Sequence, residues 1–157
     1  MLKYTLCFIR KRNSLLMLNR RKNPNMGLWN GVGGKIEENE TPTEGILREA
    51  WEETGISLSK VIHAGNVTWE SDKGNSGMYL FLADLPPNEE IQTPLSTDEG
   101  ILEWKEIDWI LHPNNRGVVD NIPIYLPKIL DGQMEREYRF IYKDGVMVSF
   151  GVSPLMC

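Results

Sequence analysis

Residues 34–56, GKIEENETPTEGILREAWEETGI, constrain the fold of this chain more than any other segment. Thr41 is a good N-cap, Pro42 suits the first helical position, and Glu44 stands three residues after the cap, which together make a capping box. Gly55 is a natural residue to follow a helix C-terminus. The segment therefore predicts one helix, opened by Thr41 and closed by Gly55. At about 100° per residue, Ile46, Leu47, Ala50 and Trp51 share one face. Glu49, Glu52 and Glu53 cluster on another. A helix with one apolar stripe must bury it, so the rest of the chain has to supply a partner layer.

The flanking sequence supplies strands. Residues 3–10 and 14–20 read as a pair around a Lys11-Arg12-Asn13 turn. Arg21 to Gly34 reads as a loop, with Pro24 and four glycines (Gly27, Gly31, Gly33, Gly34). Beyond the helix, residues 61–70 and 77–84 form a second strand pair, 85–100 a long polar loop, and 101–105 a short strand. Glu106 to Leu111 reads as one helical turn. Asn121 to Leu130 reads as helical but holds Pro123 and Pro127, which predicts a start near the second proline. Residues 136–143 and 146–150 form a hairpin across Asp144-Gly145. Strands on both sides of an early helix, with a later helix, predict an α/β fold whose mixed sheet carries helices on both faces.

At 157 residues, 41% hydrophobic and 25% charged, the chain suits a single domain, residues 1–157, with its own core and no need of disulfides. The longest apolar runs, such as Met78 to Ala83, are too short to span a membrane. The N-terminus lacks a cleavable signal pattern, so a cytoplasmic location is expected. Cys7 and Cys157 have no metal spacing and read as reduced thiols without a role. His63 and His112 are isolated, which argues against a zinc site or a Ser-His-Asp triad.

Charge is unevenly placed. The net value is −5, yet residues 1–33 carry seven bases and no acid. Residues 34–56 then carry seven acids and two bases. Glu49, Glu52 and Glu53, at spacings i, i+3 and i+4, bring their carboxylates onto one helix surface. Acidic helix faces are often merely solvated. Here the cluster stands between a glycine-rich loop and a closing glycine, which favours a site for a hard divalent cation with oxygen ligands, Mg²⁺ or Mn²⁺. Arg48 can reach a carboxylate such as Glu40 or Glu52 and fix its rotamer. Gly33-Gly34 lets backbone approach a metal or phosphate closely.

The spacing Gly34, Glu40, Arg48-Glu49, Ala50, Glu52-Glu53, Gly55, Ile56 resembles the Nudix box, G-x5-E-x7-R-E-U-x-E-E-x-G-U with U apolar, and matches all seven fixed letters. The resemblance implies a Nudix-type α-β-α sandwich. It also implies a reaction, attack of water on a phosphorus of a nucleoside diphosphate linked to another group. Metal ligands would be Glu53, Glu52, Glu49 and the carbonyl of Gly33. Glu53, Glu52 and Arg48 would belong to the catalytic group. Glu99, in the loop before a late strand, is a candidate general base or else a polar loop tip.

The run Gly27-Leu28-Trp29-Asn30-Gly31-Val32-Gly33-Gly34-Lys35 is similar to the W-N-G-x-G-G-K run of the MutT-like branch, which hydrolyses oxidised purine nucleoside triphosphates. Asn30 would read a purine edge, or serve as a turn residue before Gly31. Trp29 reads as packing, and Trp69 as either a stacking surface or core. The branch places a base-reading Asp or Asn before a proline-containing helix, a position open to Asp120 or Asn121. Val119 stands where a Trp often precedes the acidic pair. Arg20, Lys35 and Arg21 are candidates to meet the triphosphate.

The leading expectation is an 8-oxo-dGTP diphosphatase that uses Mg²⁺, with Mn²⁺ as a substitute, and releases a nucleoside monophosphate and pyrophosphate. Alternatives are another purine nucleotide (GTP or a guanosine alarmone), ADP-ribose or a dinucleotide polyphosphate. A non-catalytic nucleotide-sensing module is the alternative from another class. The expected partner is a small nucleotide, without stable nucleic-acid binding or a membrane, and the expected state is monomer or homodimer.

Overall fold

A computed structural model describes residues 1–155; the expectation for Cys157 lies outside the described residues. In chain order the elements are β1 (Tyr4–Lys11), β2 (Ser14–Arg20), β3 (Trp29–Asn30), α1 (Pro42–Thr54), β4 (Ile62–Ser71) and β5 (Gly74–Asp84). There follow β6 (Leu95–Ser96), β7 (Gly100–Glu106), α2 (Ile107–Ile110), α3 (Ile122–Leu130), β8 (Arg136–Lys143) and β9 (Val146–Pro154). The strands join one mixed sheet in the order β6-β7-β2-β1-β5-β4-β8-β9, with β3 paired to β2. β1 with β5 and β4 with β8 are parallel pairs; the other pairs are antiparallel.

The middle of the sheet is buried on both faces, and the side-chain alternation of β1 separates two cores. Leu6 and Phe8 pack with Ile122, Tyr125, Leu126 and Ile129 of α3. Cys7 and Ile9 point the other way, against Ile46 and Ala50 of α1. This is the expected α/β arrangement with helices on both faces. Cys7 is a free, buried thiol, and burial raises it well above the usual thiol range.

α1 forms as its sequence dictates. Thr41 accepts from the Glu44 N–H, Glu44 closes the capping box, and Gly55 takes φ 74°. The apolar stripe is narrower than expected. Ile46 and Ala50 are fully buried and Leu47 partly so, but Trp51 is 58% exposed. Trp51 lies a single residue after Ala50, at the stripe's edge, where the sheet no longer covers the helix.

Other boundaries differ from the expectation. α3 starts at Ile122, not near Pro127, because Pro123 sits in the first turn, where no backbone N–H is needed. Pro127 is carried inside the helix at the loss of one ladder bond. β5 begins at Gly74 and β9 runs to Pro154, since their ends pair with β4 and β8 despite polar residues. β3 and β6 have two residues each, too short for a periodic signal, and they hold loops against β2 and β7.

Candidate active site

The loop from Asn30 to Gly34 is fastened along β1. Val32 and Cys7 exchange backbone hydrogen bonds, and the Thr5 N–H donates to the Gly34 carbonyl at 2.9 Å. A Cβ on Gly33 would overlap the Thr5 carbonyl, so only glycine allows this approach. A Cβ on Gly34 would lie 2.6 Å from the Glu49 carboxyl. The glycine pair thus sets the loop directly beside the acidic face of α1. Among the described residues, no backbone donor reaches the Gly33 carbonyl.

Arg48 organises that face. Its Nε and Nη2 donate to the two Glu40 carboxylate oxygens at 2.7 and 3.0 Å, a bidentate pair. Nη1 donates to Glu49 at 3.0 Å and to Glu52 at 3.1 Å, and Nη2 also reaches the Lys35 carbonyl at 3.0 Å. Glu40 and Glu52, the two carboxylates within reach by sequence, are therefore engaged at once. The Glu40 contacts hold Arg48 firmly protonated, and Arg48 holds Glu40 below the usual carboxylate range.

Glu53 is different. Its Oε2 is buried without a hydrogen-bond partner. Burial first, then the hydrogen bond and charge of Glu49, then the charge of Glu99, push its carboxyl up to about 9. The Gly33 backbone pulls the other way through a hydrogen bond to the carboxylate. The fold thus brings Glu53, Glu49, Glu99 and Gly33 together. Glu99 is held there by its own carbonyl, which accepts from the Arg21 N–H at 2.9 Å, and by Thr97, whose hydroxyl accepts from the Glu99 N–H.

An orphaned buried carboxylate oxygen crowded by like charges is a donor set that fits a hard divalent cation. Among the described residues no three such side chains stand ready-made as a ligand cage, and Arg48 still holds the Glu49 and Glu52 oxygens.

A cleft of about 620 Å³ opens on the α3 side of the sheet. It forms because residues 117–119 pair with β3. The Trp29 N–H donates to Gly117 at 2.7 Å, and the Val119 N–H donates to Trp29 at 3.1 Å. This pairing sets Asp120 and Asn121 beside Asn30, and all three line the cleft with Trp69. Asn30 takes the turn role. Its Oδ1 accepts from the Gly31 N–H at 2.9 Å, which leaves its amide N–H groups for the cleft. Asn121 is 6% exposed, and its Oδ1 is buried without a partner.

The remaining candidates fall elsewhere. Arg20 donates through Nε to the Pro24 carbonyl at 2.7 Å and does not line the cleft. Lys35 is exposed, also outside the cleft lining. Trp29 packs edge-on against Trp109, with Lys105 over both rings. Trp69 stacks on Tyr4 with ring centroids 6.3 Å apart and also lines the cleft. His63 bonds Asn66 and His112 accepts from the Asn114 N–H, both local structural roles.

Among the cleft residues absent from the sequence-based candidates, two carry polar groups that bear on binding. Arg116 is an exposed cation on the cleft wall. Tyr142, on β8, donates its hydroxyl to Asp120 at 2.9 Å. Alternation along Tyr138, Phe140 and Tyr142 marks them as one face of a strand, but nothing local reveals a partner 22 residues away.

Comparison with known proteins agrees on the family. A family model described as the NUDIX domain matches residues 3–122. The chain is 29% identical over 109 residues to the mouse oxidized purine nucleoside triphosphate hydrolase, covering 68% of this chain and 67% of that protein. It is 34% identical over 83 residues to the NAD-capped RNA hydrolase NudC of Haemophilus influenzae, covering 52% of this chain but only 31% of that one. The crystal structure of a mutator MutT protein from Bacillus halodurans superposes with a TM-score of 0.80 at 25% identity, covering 98% of both chains. With the box residues gathered around Glu53 and the loop glycines, this chain belongs to the Nudix family, among its MutT-like hydrolases.

Proposed function

We propose that this hydrolase is a Mg²⁺-dependent nucleoside triphosphate pyrophosphohydrolase that acts on oxidised purine nucleotides, 8-oxo-dGTP above all. The products would be the nucleoside monophosphate and pyrophosphate. One observation carries the reading: the cleft on the α3 side of the sheet, whose Asn30 begins the loop that runs to the acidic face, presents the Asp120 carboxylate as acceptor and the Asn30 amide as donor. The guanine edge offers two adjacent N–H donors and the O6 acceptor, the matching set. Similarity to the mouse oxidised-purine hydrolase points the same way.

In this reading Glu53, Glu49, Glu52 and the Gly33 carbonyl would hold the cation. Bound there, it would neutralise phosphate oxygens and lower the pKa of the attacking water. Arg48 would orient Glu49 and Glu52 through Nη1, and Glu40 would keep Arg48 in place. Glu99 is near enough to Glu53 for its charge to be felt, and it would accept the proton of the attacking water. Arg116 would meet a phosphate at the cleft wall; Arg20 and Lys35 would do so only after turning from their present positions. The partner is a free nucleotide in the cytoplasm, handled by a monomer or homodimer without stable nucleic-acid or membrane contact.

The test is a substrate panel with base-specific mutagenesis. Asn30→Ala should raise KM for purine nucleotides several-fold more than for pyrimidine ones. An equal effect on both would reduce Asn30 to the turn residue that bonds Gly31.

A further inference from the structure

The family-model match ends at Ile122, the first residue of α3. Tyr142 falls outside it, on β8, and reaches back into the cleft.

The Tyr142 hydroxyl donates to Asp120 Oδ1 at 2.9 Å. Burial and the Asp120 charge raise the phenol well above its ordinary range, so it stays a donor at neutral pH. A hydrogen bond with the Asn121 side chain pulls the other way. The Asn121 Oδ1 is buried without a partner, so the group this hydroxyl sets at the cleft is the Asp120 carboxylate.

We propose that Tyr142 is a positioning residue for base selection: it keeps the Asp120 carboxylate facing the cleft as an acceptor, so the cleft takes a guanine-type edge over an adenine-type one. The proposal rests on the reading that this cleft holds a purine. A guanine-type edge brings adjacent N1–H and N2–H donors to that carboxylate. An adenine edge brings the N1 acceptor against it, so two acceptors meet. Without the hydroxyl, Asp120 can rotate, and the discrimination falls.

The test uses Tyr142→Phe, which keeps the ring that packs against the α3-side core. Equilibrium binding of GMP, AMP and CMP needs neither metal nor turnover. The wild type should prefer GMP, and Tyr142→Phe should lose about five- to tenfold of the GMP-over-AMP preference. In turnover the loss should fall on KM for guanine substrates more than on kcat. Asp120→Asn should lose at least as much, because it alters the acceptor itself, and adding Tyr142→Phe to it should cost little more, because the hydroxyl acts only through that carboxylate. An unchanged GMP-over-AMP ratio in Tyr142→Phe, equal weakening of both purines, or additive losses in the double variant would overturn the proposal. Wild-type binding that does not separate GMP from CMP would instead overturn the purine reading of the cleft. Should Tyr142→Phe fail to fold, Tyr142→Met, which also lacks the hydroxyl, carries the same comparison.

Discussion

Glu53 is the residue on which the site turns. Its carboxyl is raised from about 4.5 to about 9, chiefly by burial and by Glu49. Between those values the folded chain, free of metal, keeps a proton that the unfolded chain has released. Stability from this group is therefore fully present below about pH 4.5 and is lost as pH rises through about 9. Glu53→Gln removes that loss. In chelator, the wild-type Tm should fall more steeply than the variant's between pH 5 and pH 9, as read by thermal melts. At pH 8, Mg²⁺ should raise the wild-type Tm and have a smaller effect on the variant. Parallel pH profiles would contradict the crowding of carboxylates around Glu53. The place of Glu53 was legible because spacing alone put three carboxylates on one face. That of Tyr142 was not, because its partner is set by strand order and not by neighbouring sequence.

At the scale of elements, α1 and the glycine loop form one device. The capping box fixes where α1 begins and so where Arg48, Glu49 and Glu53 face. Thr41→Ala should lower stability by about 1 kcal/mol, a Tm decrease of roughly 2–4 °C, with catalysis affected less than stability. Gly34→Ala should do the reverse. Its Cβ would meet the Glu49 carboxyl at 2.6 Å, so kcat should fall about tenfold or more while the melt moves little. Equal Tm losses in the two variants would contradict this division. α1 was readable from its caps, because caps are local chemistry. The exposure of Trp51 was not, because the sheet's reach over a helix is a tertiary fact. The start of α3 was hidden because Pro123 reads as a breaker until its position in the first turn is known.

For the whole molecule, the sheet's two faces carry different layers. The α1 face adjoins the acidic cluster, and the α3 face holds the cleft; the loop at Asn30 to Gly34 joins them along β1. The net charge of −5 does not oppose a polyanionic substrate in this arrangement, because a cation at the cluster and a local base such as Arg116 would decide the field at the site. The mixed sheet and its two helix layers could be inferred from element order. The cleft could not, since it depends on residues 117–119 pairing with β3, a strand of two residues. The most direct test is pyrophosphate release from 8-oxo-dGTP at low micromolar concentration with Mg²⁺, for the wild type and Glu53→Gln. Pyrophosphate and 8-oxo-dGMP should appear in equal amounts, with kcat about 10²-fold lower or more in the variant. Turnover of ADP-ribose or NAD alone, or a variant as active as the wild type, would contradict a triphosphate hydrolase built around Glu53.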